Sequence, residues 1–252
     1  MEITDKSYFD QYKSSIGDLN MLVQKFDFDQ RKQDLTYQTQ ASAVYSSNIE
    51  GNTIDLNSFM NYKQFQTKAK PQKELQEIED LISAYNFAQE NLLTAQNLLR
   101  AHKILSKQFL IASLRGKYRN AKVGVFGQSG LVYLAVEAEY VAGFMKAFFE
   151  EISTLLVASL SLEEVFYFAS LIHLHFVHIH PFADGNGRAA RLLEKWFLAQ
   201  KLAKSFWNVP SEKYYKEHQA DYYNNINLGV NFYELDYNKC LPFLLMLPGC
   251  LG

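Results

Sequence analysis

The sequence predicts a mainly α-helical protein that carries one β-hairpin, and three observations predict it. Chain breakers are scarce: 252 residues hold 12 Gly and 5 Pro, well under the roughly 12% of an average chain. Apolar residues recur at steps of three and four through most of the length, the signature of one buried helix face. A single stretch, 122–134, instead sets β-rich residues on either side of a glycine-containing turn. Aromatic residues make up 15% of the chain, which calls for large buried side chains or stacking surfaces. At this length one to two domains are expected, with a core that needs no metal or disulfide staple.

Taken in order, residues 1–70 are mostly helical in pattern, with a break at Glu50-Gly51-Asn52. Pro71 marks the boundary between this part and the next. In Lys73 to Leu93 the residues Leu75, Ile78, Leu81, Ile82, Tyr85, Ala88 and Leu92 share one helical face. Thr94 can cap the next helix, which carries Leu98, Leu99, Ile104 and Leu105. In Lys122 to Leu134 two β-rich arms flank Gly127-Gln128-Ser129-Gly130, a hairpin with a four-residue loop. An isolated hairpin is marginal, so this one is either a connector or kept for a purpose other than stability. Ser161 with Glu164 forms a capping box ahead of the apolar run Val165 to Ile179. Arg191 to Leu202 and Glu212 to Ile226 read as further helices. The domain reading is 1–70, 71–205 and 206–252, the last packed on the middle one.

Composition excludes several classes. Lys and Arg number 25 against 27 Asp and Glu, so no basic coat for a nucleic-acid polymer is present. Nothing in residues 1–15 reads as a secretory signal, and no apolar run reaches the roughly 18 residues of a membrane span. Cys240 and Cys250 cannot make a disulfide framework and are expected to be buried free thiols of a cytoplasmic protein. His173, His175, His178 and His180 crowd one segment but contain no i, i+4 pair of the kind helical zinc sites use. They read as core or supporting histidines, and His102 and His218 carry no motif.

The chemistry concentrates in His180-Pro181-Phe182-Ala183-Asp184-Gly185-Asn186-Gly187-Arg188-Ala189-Ala190-Arg191. Pro181 and two glycines stop one helix, and a new one begins near Asn186. The loop therefore empties onto a helix N-terminus, where free N–H groups and the dipole favour an anion. Gly185 and Gly187 let the backbone approach a phosphate closely. Arg188 and Arg191, three apart, fall on one side of the new helix and suit a polyphosphate. Asp184 beside bound phosphates can hold Mg²⁺. His180 ends the preceding helix and is the natural base for a hydroxyl near pH 7. Phe182 is expected to point inward and anchor the loop. Together these parts describe transfer of a phosphorus-containing group to a hydroxyl.

HPFADGNGRAAR matches, position by position, the HxFx(D/E)GNGRxxR signature, and the chain resembles the Fic family on that ground. The likeness runs from about Ser42 to Leu247. Within it, Leu99 to Val125, with AHKILS and RGKYRNAKVGV, resembles the family's helix and flap, and Tyr222-Tyr223 its paired-aromatic helix. The resemblance implies a protein adenylyltransferase that moves AMP from ATP, with Mg²⁺, to a Ser, Thr or Tyr hydroxyl of a target protein. It makes 71–205 the catalytic core, His180 the general base and Asp184 the Mg²⁺ ligand. Asn186, with the Gly185 and Gly187 amides, would hold the α-phosphate, and Arg188 and Arg191 the β- and γ-phosphates. The flap edges Val123-Gly124-Val125 and Leu131-Val132-Tyr133 would hold the target as an added strand. Tyr223 would stack on the adenine, with core packing the alternative.

Upstream, Ser46-Ser47-Asn48-Ile49-Glu50-Gly51 fits (S/T)xxxE(G/N), which in the family inhibits when its Glu pairs with the second motif arginine, here Arg191. Ser46 and Glu50 lie one turn apart on a helix face, and Gly51 is a good helix stop. The resemblance therefore implies an autoinhibited enzyme whose brake lies on the N-terminal side of the core, in 1–70. Left open are transfer of another group, such as phosphate or phosphocholine, removal of AMP, a non-catalytic nucleotide-binding module, and a homodimer. No membrane or nucleic-acid partner is expected.

Overall fold

A computed structural model describes residues 2–25, 35–65, 72–127 and 130–252. Pro71, the expected boundary, and Gln128 and Ser129 of the expected hairpin loop lie outside them. The helices are α1 (Phe9–Ile16), α2 (Leu19–Lys25), α3 (Thr36–Ile49), α4 (Leu56–Phe65), α5 (Gln72–Glu90) and α6 (Ala95–Leu105). A hairpin, β1 (Gly124–Gly127) and β2 (Gly130–Leu134), comes next, and then α7 (Ala138–Val157), α8 (Leu162–Ile179) and α9 (Asn186–Lys201). The chain closes with α10 (Ser211–Glu217), α11 (Gln219–Ile226), α12 (Leu241–Leu244) and α13 (Met246–Gly249). The mainly helical fold with one antiparallel hairpin is the one the breaker count and periodicity predict.

α8 is the centre. Every residue from Val165 to Ile179 is buried, as a helix apolar on all sides must be. Its N-terminus is set by the capping box: Ser161 Oγ accepts from Glu164 N–H, and Glu164 Oε2 accepts from Ser161 N–H at 2.7 Å. α9 packs along α8, and α6 and α7 contact α9 as well. α3 lies against α5, α9 and α10, where it presents Ser42, Ser46 and Glu50 as one stripe. Two cations of α9 tie that stripe down: Lys195 Nζ donates to Ser42 Oγ at 2.8 Å, and Arg191 Nε to Ser46 Oγ at 2.9 Å. Lys195 also meets Glu212 of α10, so the pair of helices is closed by a buried charge pair.

Two boundaries differ from the sequence reading. Residues 212–226 form two helices, because His218 leaves helical geometry. Its Nδ1–H donates to the Tyr214 carbonyl at 3.0 Å, and its ring stacks on Tyr214. A side chain bonded to the backbone one turn back competes with helix continuation. The hairpin ladder runs further than expected, to Gly127↔Gly130, and leaves two residues in the connection rather than four. Gly130 makes that possible with φ 115°, which glycine adopts without a Cβ penalty.

The hairpin does not stand alone. Tyr133 is buried and its OH donates to the His178 carbonyl at 2.6 Å. Leu134 N–H donates to Val230 O at 2.9 Å, and a parallel bridge joins Leu134 to Asn231. These ties fix the hairpin beside the end of α8. Among the described residues no helix is long and apolar enough to cross a membrane.

Candidate active site

α8 ends on His180, whose backbone (φ 52°, ψ 58°) is left-handed. Among the described residues no other non-glycine has positive φ. Such a conformation costs roughly 1–3 kcal/mol and survives only where the surroundings over-determine it. Arg119 supplies that constraint. Its Nε donates to the His180 carbonyl at 2.7 Å, its own N–H to Pro181 O at 2.9 Å, Nη1 to Ala121 O at 2.9 Å, and Nη2 to Val136 O. The side chain is buried, and its donors are spent on loop carbonyls.

The rest of the loop is fastened in the same way. Phe182 is buried and stacks on His102 with ring centroids 3.5 Å apart. The His102 Nε2–H donates to Asp184 O at 2.9 Å, while Nδ1 accepts from Gly116 N–H at 3.0 Å. Burial pushes the His102 pKa down to about 4, which keeps this neutral form. The Asn186 amide clips the turn, its Oδ1 accepting from Phe182 N–H and its Nδ2 donating to Phe182 O, both at 2.9 Å. Gly185 precedes α9 with φ 82°, and a Cβ there would lie 3.0 Å from the Phe109 ring.

The His180 side chain has a defined tautomer. Nδ1 lies 3.2 Å from the Val177 carbonyl, which can only accept, so Nδ1 carries the hydrogen and Nε2 a free lone pair. Burial, aided by Arg119, lowers the pKa of the ring against the opposing pull of Val177 O, Glu50 and Asp184. His180 is therefore neutral near pH 7. It lines a cavity of about 490 Å³ together with Glu50, Gly187, Arg191, Tyr222 and Tyr223, walled by Val125, Phe126, Val132, Tyr133 and Ile226.

Arg191 lies fully buried at the floor of that cavity. Besides the Ser46 Oγ bond, its Nη2 donates to Ser46 O at 3.0 Å and to Glu50 Oε1 at 2.6 Å, and Nη1 to Tyr222 OH at 3.1 Å. α3 stops one residue before Glu50, and Gly51, with φ 96°, turns the chain away. Burial raises the Glu50 pKa, but Arg191, Arg188 and His180 outweigh it and hold the carboxyl below its ordinary value. The carboxylate sits directly over the α9 N-terminus: a Cβ on Gly187 would fall 2.3 Å from Glu50 Oε1. A charged oxygen thus occupies the place where a helix start offers free N–H groups to an anion.

The other expected residues take varied places. Arg188 does not line the cavity with Arg191. Its guanidinium stacks over the Phe109 ring at 3.7 Å and lies 3.8 Å from both Glu77 of α5 and Asp184 of the loop before α9. The Asn186 side chain is committed to Phe182, so it has its backbone to offer a phosphate. Asp184 is exposed, with Oδ1 accepting from Gly185 N–H at 2.5 Å. One exposed carboxylate beside an anion-binding helix end fits Mg²⁺ that draws most of its ligands from phosphate and water. Tyr223 is half-exposed, lines the cavity, and donates its OH to Ile49 O at 2.9 Å, so its ring lies at the cavity wall and not in the buried core. Tyr222 is the buried member of the pair. On the flap, Gly124 and Val125 lie in β1 and Leu131, Val132 and Tyr133 in β2, whereas Val123 precedes β1 and accepts from Ala135 N–H.

Three supporting residues are given no role by the motif reading, Arg119, His102 and Phe109, and Tyr222, noted there as half of an aromatic pair, proves to bond Arg191. RGKYRN and AHKILS hold the first two, yet no spacing rule announces that their partners are loop carbonyls some 60 to 80 positions away. Two of the histidines read as core or supporting residues are engaged as well. His178 bonds Ile226 O and Tyr237 OH, and His175 stacks on Tyr237.

Known proteins resemble this chain in sequence and in fold. Residues 92–198 match the family model described as the Fic/DOC family. "Protein adenylyltransferase Fic" of Aedes aegypti is 30% identical over 83 residues, 33% of this chain and 14% of that protein. The protein of the same name from Nematostella vectensis is 27% identical over 219 residues, 82% of this chain and 46% of that one. The chain thus spans less than half the length of these curated relatives. The crystal structure of a Fic family protein from Desulfovibrio desulfuricans G20 superposes with a TM-score of 0.75 at 23% identity, covering 98% of this chain and 73% of that one. That likeness is one of fold.

Proposed function

The chain is a Fic-family protein, and from that premise we propose that it transfers AMP from ATP to a protein hydroxyl and is held off by Glu50. The observation that carries the reading is one cavity in which the bare Nε2 side of His180 and the α9 N-terminus converge while Glu50 covers the anion position. His180 is neutral, oriented and able to take a proton. The first turn of α9 offers N–H groups for charge that builds on the α-phosphate, the preorganised stabilisation that usually dominates such sites. Arg191 holds the terminal phosphates once Glu50 leaves, and Arg188 contributes from the Asp184 side. The acceptor oxygen bonds to the α-phosphorus as its proton passes to His180 Nε2, and the bond to the bridging oxygen breaks, releasing pyrophosphate. Asp184 is the residue that would hold Mg²⁺, which neutralises polyphosphate charge when bound. Tyr223 covers the base, and β1 and β2 present edges to an extended target segment.

In the resting chain Glu50 and the terminal phosphates compete for the same Arg191 donors, so nucleotide either stays out or binds with its phosphates displaced. Labelled ATP tests the scheme, with the wild-type chain, Glu50→Gly and Glu50→Gly/His180→Ala. Label from the α-phosphate is expected on protein, strongest with Glu50→Gly and absent from the double variant. Transfer of the γ-phosphate label, or label that survives loss of His180, would overturn it.

A further inference from the structure

Behind Arg191 stands a buried chain of hydrogen bonds that the transfer reaction does not itself require. Arg191 Nη1 donates to Tyr222 OH at 3.1 Å, since a guanidinium can only donate. The Tyr222 proton must then go elsewhere, and His173 Nε2 lies 3.0 Å from the same oxygen. If Nε2 accepts, His173 carries its hydrogen on Nδ1, which faces Glu194 Oε2 at 2.8 Å. Tyr215 OH donates to that same carboxylate oxygen at 2.9 Å. In this order every proton has an acceptor, and reversing it would leave the Tyr222 proton stranded in a dry interior. Tyr222, His173, Glu194 and Tyr215 are all essentially inaccessible, so no water substitutes for a missing partner.

The geometry points to His173 as a positioning residue for Arg191: by taking the Tyr222 proton it keeps a tyrosine lone pair aimed at the guanidinium. Ser46 grips one side of Arg191 through its Oγ and carbonyl, and Tyr222 grips the other. When Glu50 withdraws, these are the bonds that hold Arg191 at the cavity floor. His173 therefore sets how well the site tells a triphosphate from a monophosphate, although it does not line the cavity. Burial keeps the Tyr222 phenol protonated, well above its ordinary titration range, so the chain remains ordered across the working pH. The inference rests on the reading of Arg191 as the holder of terminal phosphates.

The test is the ratio of ATP to AMP affinity, measured by calorimetry in the Glu50→Gly chain and needing no turnover. His173→Leu is expected to lower that ratio about tenfold, the worth of one hydrogen bond to a charged group. His173→Gln, whose carbonyl can accept from Tyr222 and whose amide can donate to Glu194, is expected to restore most of it. Should His173→Leu not fold, Tyr222→Phe, which deletes only the hydroxyl, is expected to give the same fall. Parallel loss of ATP and AMP binding, an unchanged ratio, or failure of His173→Gln to rescue would overturn the inference. So would a Glu50→Gly chain with no preference for ATP over AMP. A chain that keeps the preference and its dependence on His173, yet labels no protein, would overturn the transferase reading and leave this inference standing.

Discussion

The Glu50 carboxylate and the Arg191 guanidinium, 141 positions apart in sequence, meet at 2.6 Å over the N-terminus of α9. Arg191 is inaccessible and Glu50 is about a third exposed, so the contact opens from the Glu50 side. Glu50 also follows α3 at its C-terminal end and is not fixed by helical bonds on both flanks. In the proposed scheme the pair separates by movement of Glu50, because Arg191 is also bonded to Ser46 and Tyr222.

Ser46→Ala removes the acceptor of Arg191 Nε and leaves that buried donor unpaired. A destabilisation of about 1–3 kcal/mol is expected from such a change, together with a rise in basal transfer, because α3 and Glu50 are tied to α9 through this bond. Chemical denaturation and the labelling assay measured side by side check both halves.

Arg119→Lys is expected to cost about 2–4 kcal/mol, since an ammonium cannot reach the carbonyls of His180, Ala121 and Val136 at once. The left-handed His180 loses its restraint, so transfer falls more than nucleotide affinity does. Equal losses in the two would contradict the assigned role.

Gly187→Ala places a methyl 2.3 Å from Glu50 Oε1 and 3.1 Å from Arg191 Nη1. It is expected to break the Glu50–Arg191 pair without raising activity, because the methyl fills the space a phosphate needs. Combined with Glu50→Gly it should still lower ATP affinity, which titration of the double variant measures.

The pH dependence has a definite sign. Burial lowers His102 and His178 to about 4 and His175 to about 3 from the ordinary 6.5. The unfolded chain thus binds protons that the folded chain refuses, and stability is expected to fall as pH drops from 6.5 toward 4. Glu50, held below its ordinary 4.5, adds a further loss below that point. Transfer by Glu50→Gly should lose its base on an acid limb with a midpoint below 6.5, because the His180 ring titrates below that value. Removing Glu50 removes one influence that raises the His180 pKa, so its substitution is expected to shift that midpoint further down.

Local signals were legible in the sequence, and distant ones were not. The Thr94 cap, the Ser161–Glu164 capping box and the Gly51 stop depend on neighbours within four positions, and each stands where the residues placed it. The motif told that His180 and Arg191 belong together, since α8 and α9 are joined by one short loop. It could not tell that Arg188 turns to Phe109 and Glu77, because those partners come from other elements. Nor could it show that Asn186 spends its amide on Phe182, or that His102, a residue with no motif, supports the Asp184 carbonyl. His218 broke a helix through a side-chain bond that helical periodicity does not register.

The most direct measurement is the intact mass of purified Glu50→Gly protein after incubation with ATP and Mg²⁺. A gain of whole adenylyl units is expected, much greater than for the wild-type chain and absent from Glu50→Gly/His180→Ala. No gain beyond wild type, a gain of phosphoryl units, or a gain that persists without His180 would contradict the account.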